Sequence, residues 1–305
     1  MKTIVGITGT TSVGKSEVAV NLAKLMNSEV ISADSMQIYK GMDVGTAKIT
    51  AEQMQGVTHH MLDVVEPNCN YSSYLYQQQA SQIIDGLNCV PIVVGGTGFY
   101  FDSLLYPPEF GQGNESRRKE LQQMLLQDGI ESLQQMLKQL DFDTYCQIDL
   151  NNPKRLVRAI EIAENGEKMS HGVRKTAPKY NLLLFVLQRE REKLYRQIDL
   201  RVDEMFKQGL VEEVRALTQK YGFIDTPAFA AIGYKEVIEY LKGNCSLEEA
   251  VAQVKLNTRH YAKRQITYFK KMNVTEFVSV DGRNSQEIAE HIHKVLVDMS
   301  EIGKS

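Results

Sequence analysis

Apolar residues fall in short, largely unbroken runs at 3–8, 29–33, 90–94, 182–187 and 277–280, separated by stretches with helical spacing. Strands that lack an apolar/polar alternation are those buried on both faces, so the pattern predicts an α/β protein with a parallel sheet flanked by helices. In such sheets ligands bind beyond the carboxyl ends of the strands. Asp34 and the turn Gly95-Gly96-Thr97-Gly98 both follow strand ends and are expected at that edge.

The alternation of strand and helix stops at the Pro/Gly-rich run 106–113, which reads as a boundary. Segments 115–127, 131–140 and 152–164 then read as helices alone, and the polar run 166–179 as a mobile loop. The expected organisation is a core domain of residues 1–112 and 180–305 with a helical insertion domain at 113–179. The last third reads as helices over 203–220, 229–242, 246–272 and 285–299. Ser246-Leu247-Glu248-Glu249 forms a capping box at the third of these, and Leu247, Val251, Val254, Thr258 and Tyr261 are expected on its buried face.

At 305 residues, with 43% hydrophobic and 24% charged residues, the chain is globular, not disordered or fibrous. At ~150 residues per domain it has room for two domains. A net charge of −3 excludes a polycation, so a nucleic-acid site must be a local basic patch. The four cysteines make no CxxC pair, which argues against a zinc ribbon or dithiol site and for reduced thiols. The first residues lack the apolar core of a signal peptide, and no 18-residue apolar stretch occurs. A cytoplasmic monomer with no membrane contact is expected.

Gly9-Thr10-Thr11-Ser12-Val13-Gly14-Lys15-Ser16 matches GxxxxGK[ST] between a strand and a helix. The glycines let backbone N–H groups turn around a phosphate, Lys15 reaches the outer phosphate, and Ser16 is placed to ligate magnesium. The motif specifies a P-loop NTPase-like fold and a diphosphate or triphosphate ligand, not a nucleotide as such. Asp34, in Asp34-Ser35-Met36-Gln37, reads equally as a base, a water-mediated magnesium ligand or a helix cap. His59 and His60, adjacent on a strand, would face opposite ways and so read as structural. Thr97 reads as part of a tight turn or as a donor to a phosphate-loop ligand.

The run 258–271 carries five Lys/Arg and no acid, interleaved with aromatics. Arg259, Lys263 and Lys270 fall on one helical face, with Arg264 and Gln265 between them, and phosphate-backbone contact is the expectation. Lys154, Arg155 and Arg158 form a second patch and residues 117–119 a third.

The P-loop, the run from Asp34 to Lys48, His59 to Asp63, Gly95 to Tyr100, Ile232 to Glu236 and Ala262 to Thr267 occur in one order that resembles the bacterial tRNA dimethylallyltransferase (tRNA isopentenyltransferase) family over nearly the whole chain. The resemblance implies transfer of a prenyl group from dimethylallyl diphosphate to N6 of the adenosine 3′-adjacent to the anticodon, with magnesium. It implies that Asp34 accepts the N6 proton, that Thr97 lies by the diphosphate, and that Arg201 contacts the leaving oxygens. It further implies that the insertion closes on the anticodon stem-loop. Thr10 stands where the family usually has proline, and Gln197 where a second arginine is common. A P-loop small-molecule kinase and a nucleotide-switched RNA-binding protein remain the alternatives at this level.

Overall fold

The computed structural model describes residues 1–106, 114–167, 169 and 177–302. Most of the expected boundary at 106–113 and of the polar run at 166–179 lies outside these residues. The chain forms two compact units, Met1–Leu105 with Lys179–Ser305, and Tyr106–Pro178.

In chain order the first unit opens with β1 (Thr3–Gly9), α1 (Lys15–Met26), β2 (Val30–Ser32), α2 (Ala51–Met54), β3 (His59–His60), α3 (Ser73–Gly86), β4 (Ile92–Val94) and α4 (Gly98–Leu105). The second unit holds α5 (Glu115–Asp128), α6 (Ile130–Leu140), α7 (Phe142–Tyr145) and α8 (Pro153–Glu164). The first unit resumes with β5 (Asn181–Gln188), α9 (Arg191–Lys207), α10 (Leu210–Tyr221), α11 (Tyr234–Leu241), α12 (Leu247–Phe269), β6 (Glu276–Ser279) and α13 (Ser285–Ile302).

The strands make one parallel sheet in the order β3-β2-β4-β1-β5-β6, with Val5 opposite both Ile92 and Leu183. Both faces are covered, as the unbroken apolar runs require. Val5, Ile7, Phe185 and Leu187 pack against Val18 and Leu22 of α1 and Ile288 and Ile292 of α13. Ile4, Leu184 and Val186 face the other way, onto Tyr76, Ala80 and Ile84 of α3, Phe101 and Leu104 of α4, and Phe269 of α12. The side-chain period of two therefore survives inside runs that show no polarity alternation. β3 is an edge strand of two residues, too short for any periodicity to reveal.

The helices of the last third differ from expectation in three places. The run expected over 203–220 is two helices: α9 begins at Arg191, and Gly209 (φ 98°) ends its C-terminal turn before α10. Leu194, Ile198 and Val202 are the buried stripe that extends α9 backwards through a charge-rich sequence. Helix α11 starts at Tyr234, not at 229, because Gly233 (φ 96°) turns the chain and the Glu236 side chain accepts its N–H at 2.7 Å. In α12 the capping box is present, with Glu249 N–H donating to Ser246 Oγ and Ser246 N–H to Glu249. Its buried line, however, is Ala250, Val254, Ala262, Gln265 and Phe269, and Leu247 is exposed.

In the second unit, Leu121, Leu133, Leu137, Leu156 and Ile160 of α5, α6 and α8 form the core. Helix α8 starts with Pro153 behind an Asn152 cap, which accepts the Arg155 N–H at 3.2 Å. Among the described residues no helix is long and apolar enough to cross a membrane.

Candidate active site

The loop after β1 takes its shape from two glycines. Gly9 has φ 141°, and a Cβ there would meet the Leu187 carbonyl oxygen at 2.4 Å. Gly14, at φ 90°, turns the chain into α1, which a side chain at that φ would strain. Buried Val13 anchors the loop to the core. Lys15 folds back and donates to the carbonyls of Thr10 (2.7 Å) and Gly9 (3.2 Å). The hydroxyls of Thr10 and Ser12 are buried without a partner. Buried polar atoms are normally bonded, so the orphaned Ser12 hydroxyl, which lines the adjoining cavity, marks a place for a ligand oxygen.

The loop opens on a cavity of about 720 Å³ lined by Ser12, Lys15, Ser16, Asp34, Arg201 and Arg264 among others, all from the first unit. Burial pushes the Lys15 amine down to about 7; Arg201 adds to the effect and Asp34 opposes it. Burial likewise lowers the Arg201 guanidinium, again opposed by Asp34. Arg201 Nη2 reaches the Thr46 carbonyl at 3.5 Å, and its Nε is buried with no partner. Two cations held in a poorly solvated cleft with unused donors form a site for an anion of more than one charge.

Asp34 ends the run after β2. Its Oδ1 accepts the Met36 N–H at 2.9 Å, an Asx turn that keeps the carboxylate at the cavity wall. Thr97 supports this turn: its hydroxyl accepts the Ser35 N–H at 3.0 Å and donates to Ser35 Oγ at 3.3 Å. The Thr97 hydroxyl thus braces the Asp34 turn and also neighbours the Tyr261 hydroxyl at the cavity wall. Gly95 and Gly96 are needed for close approach, since a Cβ would lie 2.1 Å from the Ala33 carbonyl and 2.4 Å from Gln265 Nε2 respectively.

Gln265 is corrected from RNA contact to internal clamp. It is buried, accepts the Thr11 N–H at 2.9 Å and donates to the Gly96 carbonyl at 2.9 Å, joining the phosphate loop to the turn after β4. The acid-free reading of 258–271 holds along the sequence but not in space. Asp199 of α9 makes a two-point ion pair with Arg259, and Asp203 pairs with Lys255 at 2.6 Å. Lys263, Arg264 and Lys270 are exposed, and Arg264 lies over the Tyr261 ring. In the second unit Lys154 and Arg155 are exposed, whereas Arg158 is tied at 3.3 Å to buried Glu161, which Arg118 also holds. Arg117 is bonded to Glu164 and Glu120.

Ser35, Met36 and Gln37, which the family resemblance implies as tRNA contacts, line the cavity beside Asp34. Sequence reasoning missed three wall components. The segment Gly45, Thr46 and Ala47 contributes backbone, not distinctive side chains. Tyr261 reaches the Gly96 carbonyl at 3.4 Å, and burial raises its hydroxyl's pKa. His59 also lines the wall, its Nδ1 against the Val57 carbonyl and its Nε2 unpartnered, while His60 turns to Glu29.

Residues 37–272 match the family model described as IPP transferase, and residues 2–66 match one described as isopentenyl transferase. The chain is similar to a tRNA dimethylallyltransferase of Clostridioides difficile, 44% identical over 283 residues that cover 90% of this chain and 91% of that one. It is similar in structure to a tRNA isopentenylpyrophosphate transferase of Bacillus halodurans, with a TM-score of 0.74, 37% identity and full coverage of both chains. It also resembles a eukaryotic dimethylallyltransferase whose structures capture it acting on tRNA, with a TM-score of 0.82, 26% identity, and coverage of 98% of this chain and 80% of that one. A phosphate loop, a carboxylate at the neighbouring strand end and a relationship that spans almost the entire sequence lead to one assignment: the chain belongs to the IPP transferase family.

Proposed function

We propose that the protein transfers a dimethylallyl group from dimethylallyl diphosphate to N6 of the adenosine 3′-adjacent to the anticodon of tRNA, releasing diphosphate. The observation that carries this reading is the pair of unused donors, Ser12 Oγ and Arg201 Nε, in one cavity with Lys15 and the Asp34 carboxylate. An exocyclic adenine amine is a weak nucleophile, whereas an allylic diphosphate ionises readily once its leaving group is neutralised. The phosphate-loop N–H groups, Lys15 and Arg201 stabilise the charge that develops as the C–O bond breaks. N6 then bonds to the allylic carbon and gives its proton to Asp34. The base reaches this pocket by leaving the loop stack, which is cheapest in a single-stranded anticodon loop. Exposed Lys263 and Arg264 on α12, and Lys270 at its C-cap, are placed to meet the tRNA backbone, and Lys154 and Arg155 offer a further patch. A tRNA substrate implies a cytoplasmic setting.

The donor set also fits magnesium. The Ser16 hydroxyl lines the same cavity, and among the described residues no group of three or more His, Cys, Asp or Glu side chains is arranged to hold a metal unaided. Ser16, diphosphate oxygens and water together make the hard-oxygen, partly hydrated shell that this ion prefers. Bound there, it would offset diphosphate charge.

Asp34→Asn tests the assignment. Asparagine keeps the oxygen that accepts the Met36 N–H, so the turn survives while the base is lost. Transfer is expected to fall by about 10²–10⁴, with tRNA affinity within a few fold of wild type. Near-normal turnover would remove Asp34 as the base.

A further inference from the structure

Behind the cavity wall formed by Gly45, Thr46 and Ala47 lies a carboxylate that the reaction scheme does not use. Glu213 of α10 accepts three consecutive backbone N–H groups, those of Asp43 (2.8 Å), Val44 (2.7 Å) and Gly45 (3.1 Å), and the hydroxyl of Tyr234 (2.6 Å). Tyr234 is fully buried and its ring packs on Gly45 so closely that a Cβ would lie 2.5 Å from it. The other end of the segment is fixed by Lys48. Its buried amine donates to the Tyr39 carbonyl (2.8 Å) and to Asp43 and Asp63 (both 2.6 Å). Between these clamps the Thr46 carbonyl meets Arg201 Nη2 at 3.5 Å and Gln37 Nε2 at 3.4 Å. Glu213 and Tyr234 do not themselves line the cavity.

We propose that Glu213, with Tyr234, is a positioning residue that holds the 43–46 segment where its Thr46 carbonyl orients Arg201 for the diphosphate. Four donors on one carboxylate satisfy it almost completely, so the segment has one low-energy placement and Arg201 inherits it. A charge-assisted set of this kind pulls on the backbone far more strongly than neutral bonds do. Glutamine would present an amide N–H₂ to N–H donors, removing at least one bond and adding a repulsive approach.

The inference rests on the diphosphate reading of the cavity, and its test separates the two. Inorganic diphosphate binding is measured by calorimetry, alongside transfer kinetics, tRNA affinity and Tm. Glu213→Gln is expected to weaken diphosphate binding about tenfold, within the range of coupling energies between contacting groups, and to raise KM for dimethylallyl diphosphate in step. The tRNA Kd should stay within about twofold. In an Arg201→Ala background the same change should cost nothing further in diphosphate affinity. Additive losses, or a lower Tm with unchanged diphosphate affinity, would overturn the proposal and leave Glu213 a fold-stabilising residue. Should Glu213→Gln not fold, Tyr234→Phe removes one of the four bonds and must show a smaller, equally non-additive loss. A wild-type protein that binds diphosphate yet makes no prenyl product would defeat the proposed reaction and leave this inference to be judged on binding. One that does not bind diphosphate would defeat both.

Discussion

Lys15 is the residue whose behaviour can be worked out furthest. Burial and Arg201 hold its amine at about 7, while the free side chain titrates near 10.5. A bound diphosphate replaces the missing solvation with negative charge, so binding raises this pKa and takes up a proton wherever the free amine is neutral. With a pKa of about 7, roughly 90% of the free protein carries the proton at pH 6 and roughly 10% at pH 8. The contribution of Lys15 to diphosphate affinity should therefore fall about tenfold between those two values. Diphosphate titrates in the same range, so the comparison is with Lys15→Arg, whose charge persists throughout. Calorimetry across pH 6–9, in two buffers of different ionisation heat, reads both affinity and proton uptake. Wild type should lose about tenfold relative to Lys15→Arg by pH 8 and take up close to one additional proton per diphosphate there. Folding stability carries the opposite slope. Between about pH 7 and 10.5 the unfolded chain binds a proton at Lys15 that the free folded protein does not, so stability from this group rises with pH through that window. Parallel pH profiles for the two proteins would refute the reasoning, because they would mean that Lys15 is charged throughout.

Gln265→Ala leaves the Thr11 N–H and the Gly96 carbonyl without their partner, and should cost about 2–4 kcal/mol in thermal or urea unfolding while weakening diphosphate binding; unchanged stability would mean that water replaces the side chain. Replacing Lys263, Arg264 and Lys270 together by glutamine should weaken tRNA binding and lower the slope of log affinity against log salt by roughly 0.7–0.9 for each phosphate no longer neutralised. Diphosphate binding should fall only through Arg264, which lines the cavity, and an unaltered salt slope would make Lys263 and Lys270 a solvated face. Arg259→Gln should act differently, reducing stability by about 1 kcal/mol through loss of its partly exposed pair with Asp199, with little change in the salt slope.

The parts of the site that were readable in the sequence are those set by local backbone chemistry. The glycines of the phosphate loop and of the turn after β4 are there because a Cβ would collide or because φ is positive, and such positions are marked in any sequence. Asp34 was placed by a strand end. What the sequence did not show depends on partners distant along the chain. Gln265 lies 254 residues from Thr11, and only its burial between two loops separates a clamp from an RNA contact. Arg259 looks free until α9 is folded back far enough to bring Asp199 beside it. That extension was missed because three buried residues in 17 are a faint stripe among charges. Glu213 was invisible for the same reason: its partners are backbone N–H groups, which nearly every residue has.

The central claim is that the phosphate loop serves a prenyl diphosphate and not a nucleoside triphosphate. Incubation of the protein with unmodified tRNA, dimethylallyl diphosphate and magnesium, followed by digestion to nucleosides and mass spectrometry, tests it most directly. One prenyl group on N6 of the adenosine beside the anticodon, stoichiometric release of diphosphate and no requirement for ATP are the expected results. Unmodified adenosine together with tRNA-stimulated release of phosphate from ATP would contradict it.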